Sequence, residues 1–153
     1  GVYTVNAPRC QAAAGFLATR DAISLDDVTI RCNNAYATII LVPLDGKPLA
    51  ESGQVLVQAG TVSRPKGWVA RERIIETNDT KHEGFQIMRL GEAPLMIANT
   101  HATVTLDNPK LNKATALDLS GLPMERDIRL QRKDGQLTID LPEDTLYTVL
   151  SAE

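Results

Sequence analysis

The sequence predicts an all-β fold, an antiparallel β-sandwich of the jelly-roll type with about ten short strands. Apolar and polar residues alternate in residues 100–106 and 136–141, which is typical of strands that have one face on a core. Turn residues separate such segments, and Asp134-Gly135 predicts a hairpin directly before residue 136. All eight prolines fall at the ends of these segments, where a missing N–H does least harm.

Each predicted strand is a short run of apolar, β-branched or alternating residues bounded by turn residues. The most apolar run ends at Pro43 and is followed by the turn pair Asp45-Gly46. Residues 69–76, where Arg and Glu are interspersed among apolar residues, predict a short helix instead. The strands are predicted at residues 3–6, 10–17, 28–31, 35–42, 54–62, 85–90, 100–106, 115–119, 127–131, 136–141 and 145–150.

The composition is that of one folded domain spanning residues 1–153. Apolar residues make up 43% and charged residues 23%, which excludes wholesale disorder. The net charge is −3 and the basic residues are scattered, so neither nucleic acid nor a membrane surface is an expected partner. Because the chain begins at Gly1 without Met or a signal peptide, we expect it to be a piece of a larger protein.

The two cysteines, Cys10 and Cys32, leave two alternatives. The simpler one is a pair of reduced, buried thiols. The other is a disulfide that closes a loop of about 20 residues, contributes about 3 kcal/mol and indicates an oxidising compartment.

The sequence lacks the residue patterns of known catalytic sites. His82 lies in a polar stretch that predicts a solvated loop, and His101 falls on the polar face of a predicted strand. Nucleophile-elbow, phosphate-loop and zinc-protease motifs are absent, so the domain is not expected to be an enzyme. Asn78-Asp79-Thr80 matches the N-glycosylation pattern, which matters only in a eukaryotic secretory host.

Three aspartates are the candidate ligands for a metal ion. Asp21, Asp26 and Asp27 have oxygen ligands of the type that calcium prefers, although the EF-hand pattern is absent. Solvated or turn-forming roles are the simpler interpretation. The sequence indicates no other cofactor.

Aromatic residues are scarce, at 4% of the chain, and Trp68 is the one in a clear loop context. An exposed indole there offers a platform for a sugar ring, whereas burial in the core is the alternative. Tyr36 is the ring that would assist it, unless it packs in the core, where Phe16 is also expected. Tyr3 and Tyr147 belong to terminal strands that could pair. The polar side chains near Trp68 that would bind sugar hydroxyls are Arg64, Lys66, Arg71 and Glu72.

The opening residues GVYTVNAPRCQAAAGF resemble a GxFTVDTPRTQAAVGF stretch found downstream of the catalytic barrel in modular bacterial glycoside hydrolases. The segments LDGKPLAES at residues 44–52, LGEAPL at 90–95 and ALDLSG at 116–121 follow in the same order. The chain departs from the pattern at Asn6, Cys10 and Leu122, and no ligand-binding motif can be carried over.

The resemblance implies a non-catalytic, carbohydrate-binding β-sandwich of a secreted bacterial enzyme. Its partners would be a polysaccharide and a catalytic barrel in the same polypeptide, which would hold the catalytic acid and nucleophile. The alternative is a structural sandwich that packs on the barrel and stabilises it without binding sugar. An exposed apolar patch of several hundred Å² would favour this alternative.

Overall fold

The computed structural model describes residues 1–77 and 79–152, which form fifteen strands and one short 3-10 helix, Leu17–Thr19. The predicted glycosylation acceptor Asn78 lies outside these residues. No helix within the described ranges has the length and hydropathy needed to cross a membrane. The strands are β1 (Val2–Ala7), β2 (Cys10–Gly15), β3 (Ile23–Ser24), β4 (Val28–Cys32), β5 (Ala37–Pro43), β6 (Gln54–Thr61), β7 (Ser63–Lys66), β8 (Val69–Thr77), β9 (Thr80–Arg89), β10 (Glu92–Ile97), β11 (Ala102–Asp107), β12 (Lys113–Leu117), β13 (Leu130–Lys133), β14 (Gln136–Asp140) and β15 (Tyr147–Ser151).

The chain divides into two compact units. The first, here called the sandwich unit, comprises Gly1–Thr61 and Asn99–Glu153. The second, here called the ribbon unit, is Val62–Ala98 and lies in sequence between β6 and β11.

The sandwich unit contains two antiparallel sheets. The six-stranded sheet has the order β1-β2-β5-β6-β15-β12, and the five-stranded sheet has the order β13-β14-β11-β4-β3. Both sheets turn alternate side chains into one core, since Ile39 and Leu41 of the first cluster with Ile30 and Val104 of the second. The predicted all-β sandwich is therefore confirmed.

Local sequence patterns predicted several elements of this unit correctly. Ala102, Val104 and Leu106 are buried, as the alternation in residues 100–106 predicts. The hairpin between β13 and β14 is also confirmed, and both turn residues, Asp134 and Gly135, have positive φ. Positive φ at both central positions is the type I′ geometry that Asp-Gly favours. Tyr3 and Tyr147 do not pair, because β1 is bonded to β2 and β15 lies between β6 and β12.

The ribbon unit consists of two separate two-stranded antiparallel sheets, β7 with β10 and β8 with β9. The predicted helix at 69–76 is wrong, because this segment is the strand β8, paired along its whole length with β9. Its β-branched residues Val69, Ile74 and Ile75 favour extended backbone. His82 lies in β9 rather than in a loop, and Pro65 and Pro94 lie inside strands rather than at their ends.

Both cysteines are free, so the disulfide alternative is not realised. Cys32 points into the core, and burial raises the pKa of its thiol. Cys10 precedes the inward-facing Gln11 on β2 and is half-buried on the opposite side of its sheet. The two side chains therefore face different environments on different sheets.

The ion pair of Arg126 with Asp144 gives a pH-dependent prediction. Arg126 donates hydrogen bonds to both carboxylate oxygens, with Nη2–Oδ2 at 2.9 Å, and they lower the pKa of Asp144 to about 2. A carboxyl whose pKa is lowered on folding stabilises the protein at pH values above the pKa that it has in the unfolded chain, which is ~4. This contribution is lost as the pH falls through the folded-state pKa of about 2. We expect Arg126→Gln to return this pKa toward ~4 in an NMR titration. Arg129→Gln is the control, and an unchanged Asp144 titration in Arg126→Gln would contradict the assignment.

Candidate functional site

Trp68 lies in a tight turn between β7 and β8 of the ribbon unit. Its backbone N–H donates to the Pro65 carbonyl at 3.0 Å, and Gly67 supplies the positive φ of 79° that the turn requires. The β9–β10 connection lies directly against the turn, since a Cβ on Gly91 would come within 2.5 Å of the Lys66 carbonyl oxygen. Glycine is therefore required at two positions, inside the turn at Gly67 and at Gly91, where the β9–β10 connection contacts it.

The residues predicted to surround Trp68 are only partly brought together. The Arg64 guanidinium lies over the indole, 5.2 Å from the ring centroid, so one part of the half-buried ring already has a cationic neighbour. Lys66 is exposed in the same turn. Arg71 and Glu72 are consecutive in β8 and therefore project from opposite faces of the ribbon. Tyr36 belongs to the sandwich unit.

The sandwich unit carries an exposed aromatic pair, Phe16 and Tyr36. Their ring centroids are 5.6 Å apart at an angle of 81°, and the residues are 52% and 45% exposed. The prediction that Phe16 is a core residue is wrong, and so is the core alternative for Tyr36. Gln11 and Ala13 are the inward-facing residues of β2, so Phe16 falls on the opposite side of the sheet, directly after Gly15 ends the strand with φ of 125°.

A polar pocket of about 360 Å³ lies on the same unit, at the outer face of the five-stranded sheet. Thr103 on β11 pairs with Arg31 of β4 and with Asp140 of β14, so these three side chains lie side by side. The Thr103 hydroxyl donates to Asp140 at 2.7 Å. The pocket lining includes Asp21, Arg31, Asn33, His101, Asp140 and Glu143.

His101 and Glu143 form one wall of this pocket. His101 Nδ1 lies 3.5 Å from a Glu143 oxygen, and Asn99 donates to the other Glu143 oxygen at 3.1 Å. The alternation in residues 100–106 predicts His101 as an ordinary polar residue of a strand, whereas it directly precedes β11. The arrangement offers donors and acceptors from a guanidinium, an imidazole, an amide and carboxylates, a mixture that suits a ligand rich in hydroxyl groups.

Asn34 makes hydrogen bonds to segments next to both the aromatic pair and the polar pocket. Its side-chain amide donates to the Asn99 carbonyl at 2.7 Å and accepts from the His101 N–H at 2.7 Å. Its backbone carbonyl accepts from the backbone N–H of Ala18. Asn33 lines the pocket and Tyr36 follows three residues later, a chain length that spans at most about 11 Å. Stacking rings and hydrogen-bonding groups are thus within reach of one ligand.

The acidic residues proposed as calcium ligands have other partners. Asp26 and Asn6 bond reciprocally through side chain and backbone at 2.9 and 3.1 Å, and Asp27 bonds Gln11 in the same way at 2.7 and 3.0 Å. Asp21 lies apart from them in the polar pocket lining. Within residues 1–77 and 79–152, no three His, Cys, Asp or Glu side chains are grouped to hold a metal ion.

Comparison of the chain with protein-family models, curated proteins and solved structures gives no match.

Proposed function

We propose that this chain is a non-catalytic carbohydrate-binding domain whose binding surface is the sandwich end formed by Phe16, Tyr36 and the polar pocket. The observation that carries the proposal is the exposed aromatic pair within chain reach of Arg31, His101 and Asp140. Ring faces contact the apolar face of a pyranose, and the pocket side chains bind its hydroxyls. The domain would hold an attached glycoside hydrolase on its polysaccharide, raising the effective concentration of the enzyme there.

In this site the sugar stacks on Phe16 and Tyr36 rather than on Trp68. Two observations disfavour Trp68: Arg64 already lies over the indole, and the polar residues near Trp68 in sequence project in different directions. A site of one or two aromatic contacts supports only micromolar to millimolar affinity, about 4–8 kcal/mol.

Native gel electrophoresis with soluble polysaccharide cast in the gel tests this proposal. We expect at least one cellulose, mannan, xylan, glucan or galactan derivative to retard the wild type. We expect Phe16→Ala/Tyr36→Ala to bind about 30-fold more weakly, because two aromatic contacts of about 1 kcal/mol each are lost.

Trp68→Ala is the matched control and keeps the retardation. Both Phe16 and Tyr36 are exposed, so circular dichroism should show an unchanged fold in the double variant. Loss of retardation in Trp68→Ala alone would return the site to the ribbon unit. If no polysaccharide retards the wild type, the proposal fails.

A second candidate function is that of a structural domain packed on a catalytic barrel, and the outer face of the six-stranded sheet favours it. Val42, Leu56 and Val149 are neighbours across β5, β6 and β15. The next row holds Ile40 and Tyr147 on either side of Gln58. Neither row contains a charged residue, and such an uncharged sheet face suits burial against another protein surface. This candidate expects no retardation in the gel.

A further inference from the structure

The large apolar side chains of the ribbon unit lie on its surface. None of residues 62–76 and 79–98 is buried. Two-stranded ribbons are at best marginally stable alone in water, so an apolar surface of this kind indicates a partner. The large apolar side chains that are at least 45% exposed here are Val69, Ile74, Ile75, Phe85, Ile87, Met88, Leu90, Leu95, Met96 and Ile97.

The pairing of β8 with β9 concentrates part of this surface on one face. Glu72 is opposite Phe85, Ile74 is opposite Glu83, and Ala70 is opposite Ile87. Paired residues of antiparallel strands project to the same side, so all of these side chains share one face of the hairpin. Phe85 and Ile74 are 68% and 61% exposed there. Glu72, Ile74, Glu83 and Phe85 line a groove of about 490 Å³ together with Arg73 and Gly84.

This face carries Glu72, Glu76, Glu83 and Lys81, so its net charge is negative. Glu76 is paired with Lys81 at 3.2 Å. Glu72 and Glu83 have no ion-pair partner among the described residues. Arg71 and Arg73 belong to the opposite face, where the Arg73 guanidinium donates to Gln86 at 3.0 Å, although Arg73 also borders the groove. Two copies of the chain would repel each other if their Glu72–Glu83 faces met, which disfavours a symmetric dimer through this face.

We propose that the Glu72, Ile74, Glu83 and Phe85 face of the β8–β9 hairpin is a docking surface for a protein segment that presents an apolar side chain flanked by lysine or arginine. The apolar side chain packs against Phe85 and Ile74. The flanking cations pair with the two unpartnered glutamates. This surface belongs to the ribbon unit, whereas the residues of the proposed carbohydrate site belong to the sandwich unit.

Two fluorescently labelled peptides serve as probes, and anisotropy measures their binding to the whole chain. Both contain the same leucine and phenylalanine residues, flanked by lysine in one and by glutamate in the other. We expect the lysine peptide to bind at least tenfold more tightly, and this preference to shrink as salt is added. Phe85→Ala should weaken the binding of both peptides, and Glu72→Lys/Glu83→Lys should reverse the preference.

Glu51→Lys/Glu125→Lys is the matched control, since it changes the net charge equally at exposed positions of the sandwich unit. This control should keep the preference for lysine. The proposal is overturned if neither peptide binds at 1 mM, if both bind equally, or if the control reverses the preference as the hairpin variant does. These outcomes are independent of the polysaccharide gel, which reports on the other unit.

Discussion

Replacing Asn108 with alanine is expected to lower the free energy of unfolding by about 3 kcal/mol. Asn108 is fully buried directly after β11, and its amide donates to the carbonyls of Leu49 and Ser52 at 2.7 and 2.9 Å. Its side-chain oxygen accepts from the Lys110 N–H at 2.9 Å. Alanine leaves two carbonyls and one N–H without their partner inside the protein, and each such loss costs about 1–3 kcal/mol.

Urea unfolding followed by circular dichroism measures this effect as a lower midpoint at constant slope. The control is Asn112→Ala, because Asn112 is exposed nearby and its side chain makes no hydrogen bond to a described residue. We expect that control to change stability by less than about 0.5 kcal/mol. A loss below about 1 kcal/mol in Asn108→Ala would mean that water replaces the amide, contrary to the buried contacts described above.

Asn108 also illustrates which parts of the fold follow from sequence patterns. The Asp45-Gly46 pair predicted a turn after β5, and Asp45 indeed accepts hydrogen bonds from Ser52 and Gly53 of the same loop. Those contacts span only seven or eight residues. The bonds from Asn108 to Leu49 and Ser52 span 59 and 56 residues, and no local pattern can indicate them.

The candidate carbohydrate site depended in the same way on distant pairings. Alternation places Thr103 and Asp140 on the outer faces of two predicted strands, and Arg31 ends a third, but only the order β14-β11-β4 makes them neighbours. Phe16 was missed because the apolar run of residues 10–17 predicts burial throughout, whereas only alternate residues such as Gln11 and Ala13 face the core and Phe16 lies on the other side. Residues 12–14 are all alanine, so the sequence has no alternation there from which this orientation could be predicted.

The segment 69–76 shows the limit of local patterns in the ribbon unit. Its apolar residues do not follow a strict period of two, because Ile74 and Ile75 are adjacent and project from opposite faces. Pairing with β9 determined the structure instead. Because the ribbon exposes apolar residues on both faces, its sequence has no amphipathic pattern from which a strand could be predicted. The same exposed residues suit contact with a partner protein.

Replacing Gln11 with leucine is expected to destabilise the sandwich by about 2–3 kcal/mol. Gln11 is fully buried on β2, and its amide exchanges two hydrogen bonds with Asp27, directly before β4 of the other sheet. Leucine keeps the volume of the side chain but leaves the half-buried Asp27 carboxylate and N–H without this partner. Unfolding in urea measures the loss.

Asn6→Leu is the matched control, because Asn6 makes the same two-bond exchange with Asp26 at an exposed position. Water replaces an exposed amide, so we expect that variant to lose less than about 1 kcal/mol. Equal losses in the two variants would contradict burial as the cause. Asp26 and Asp27 were two of the three calcium candidates, and their hydrogen bonds to Asn6 and Gln11 lead us to expect that added calcium leaves the wild-type midpoint unchanged. A calcium-dependent rise that is lost in Gln11→Leu would instead show that Asp27 serves as a ligand whose orientation Gln11 fixes.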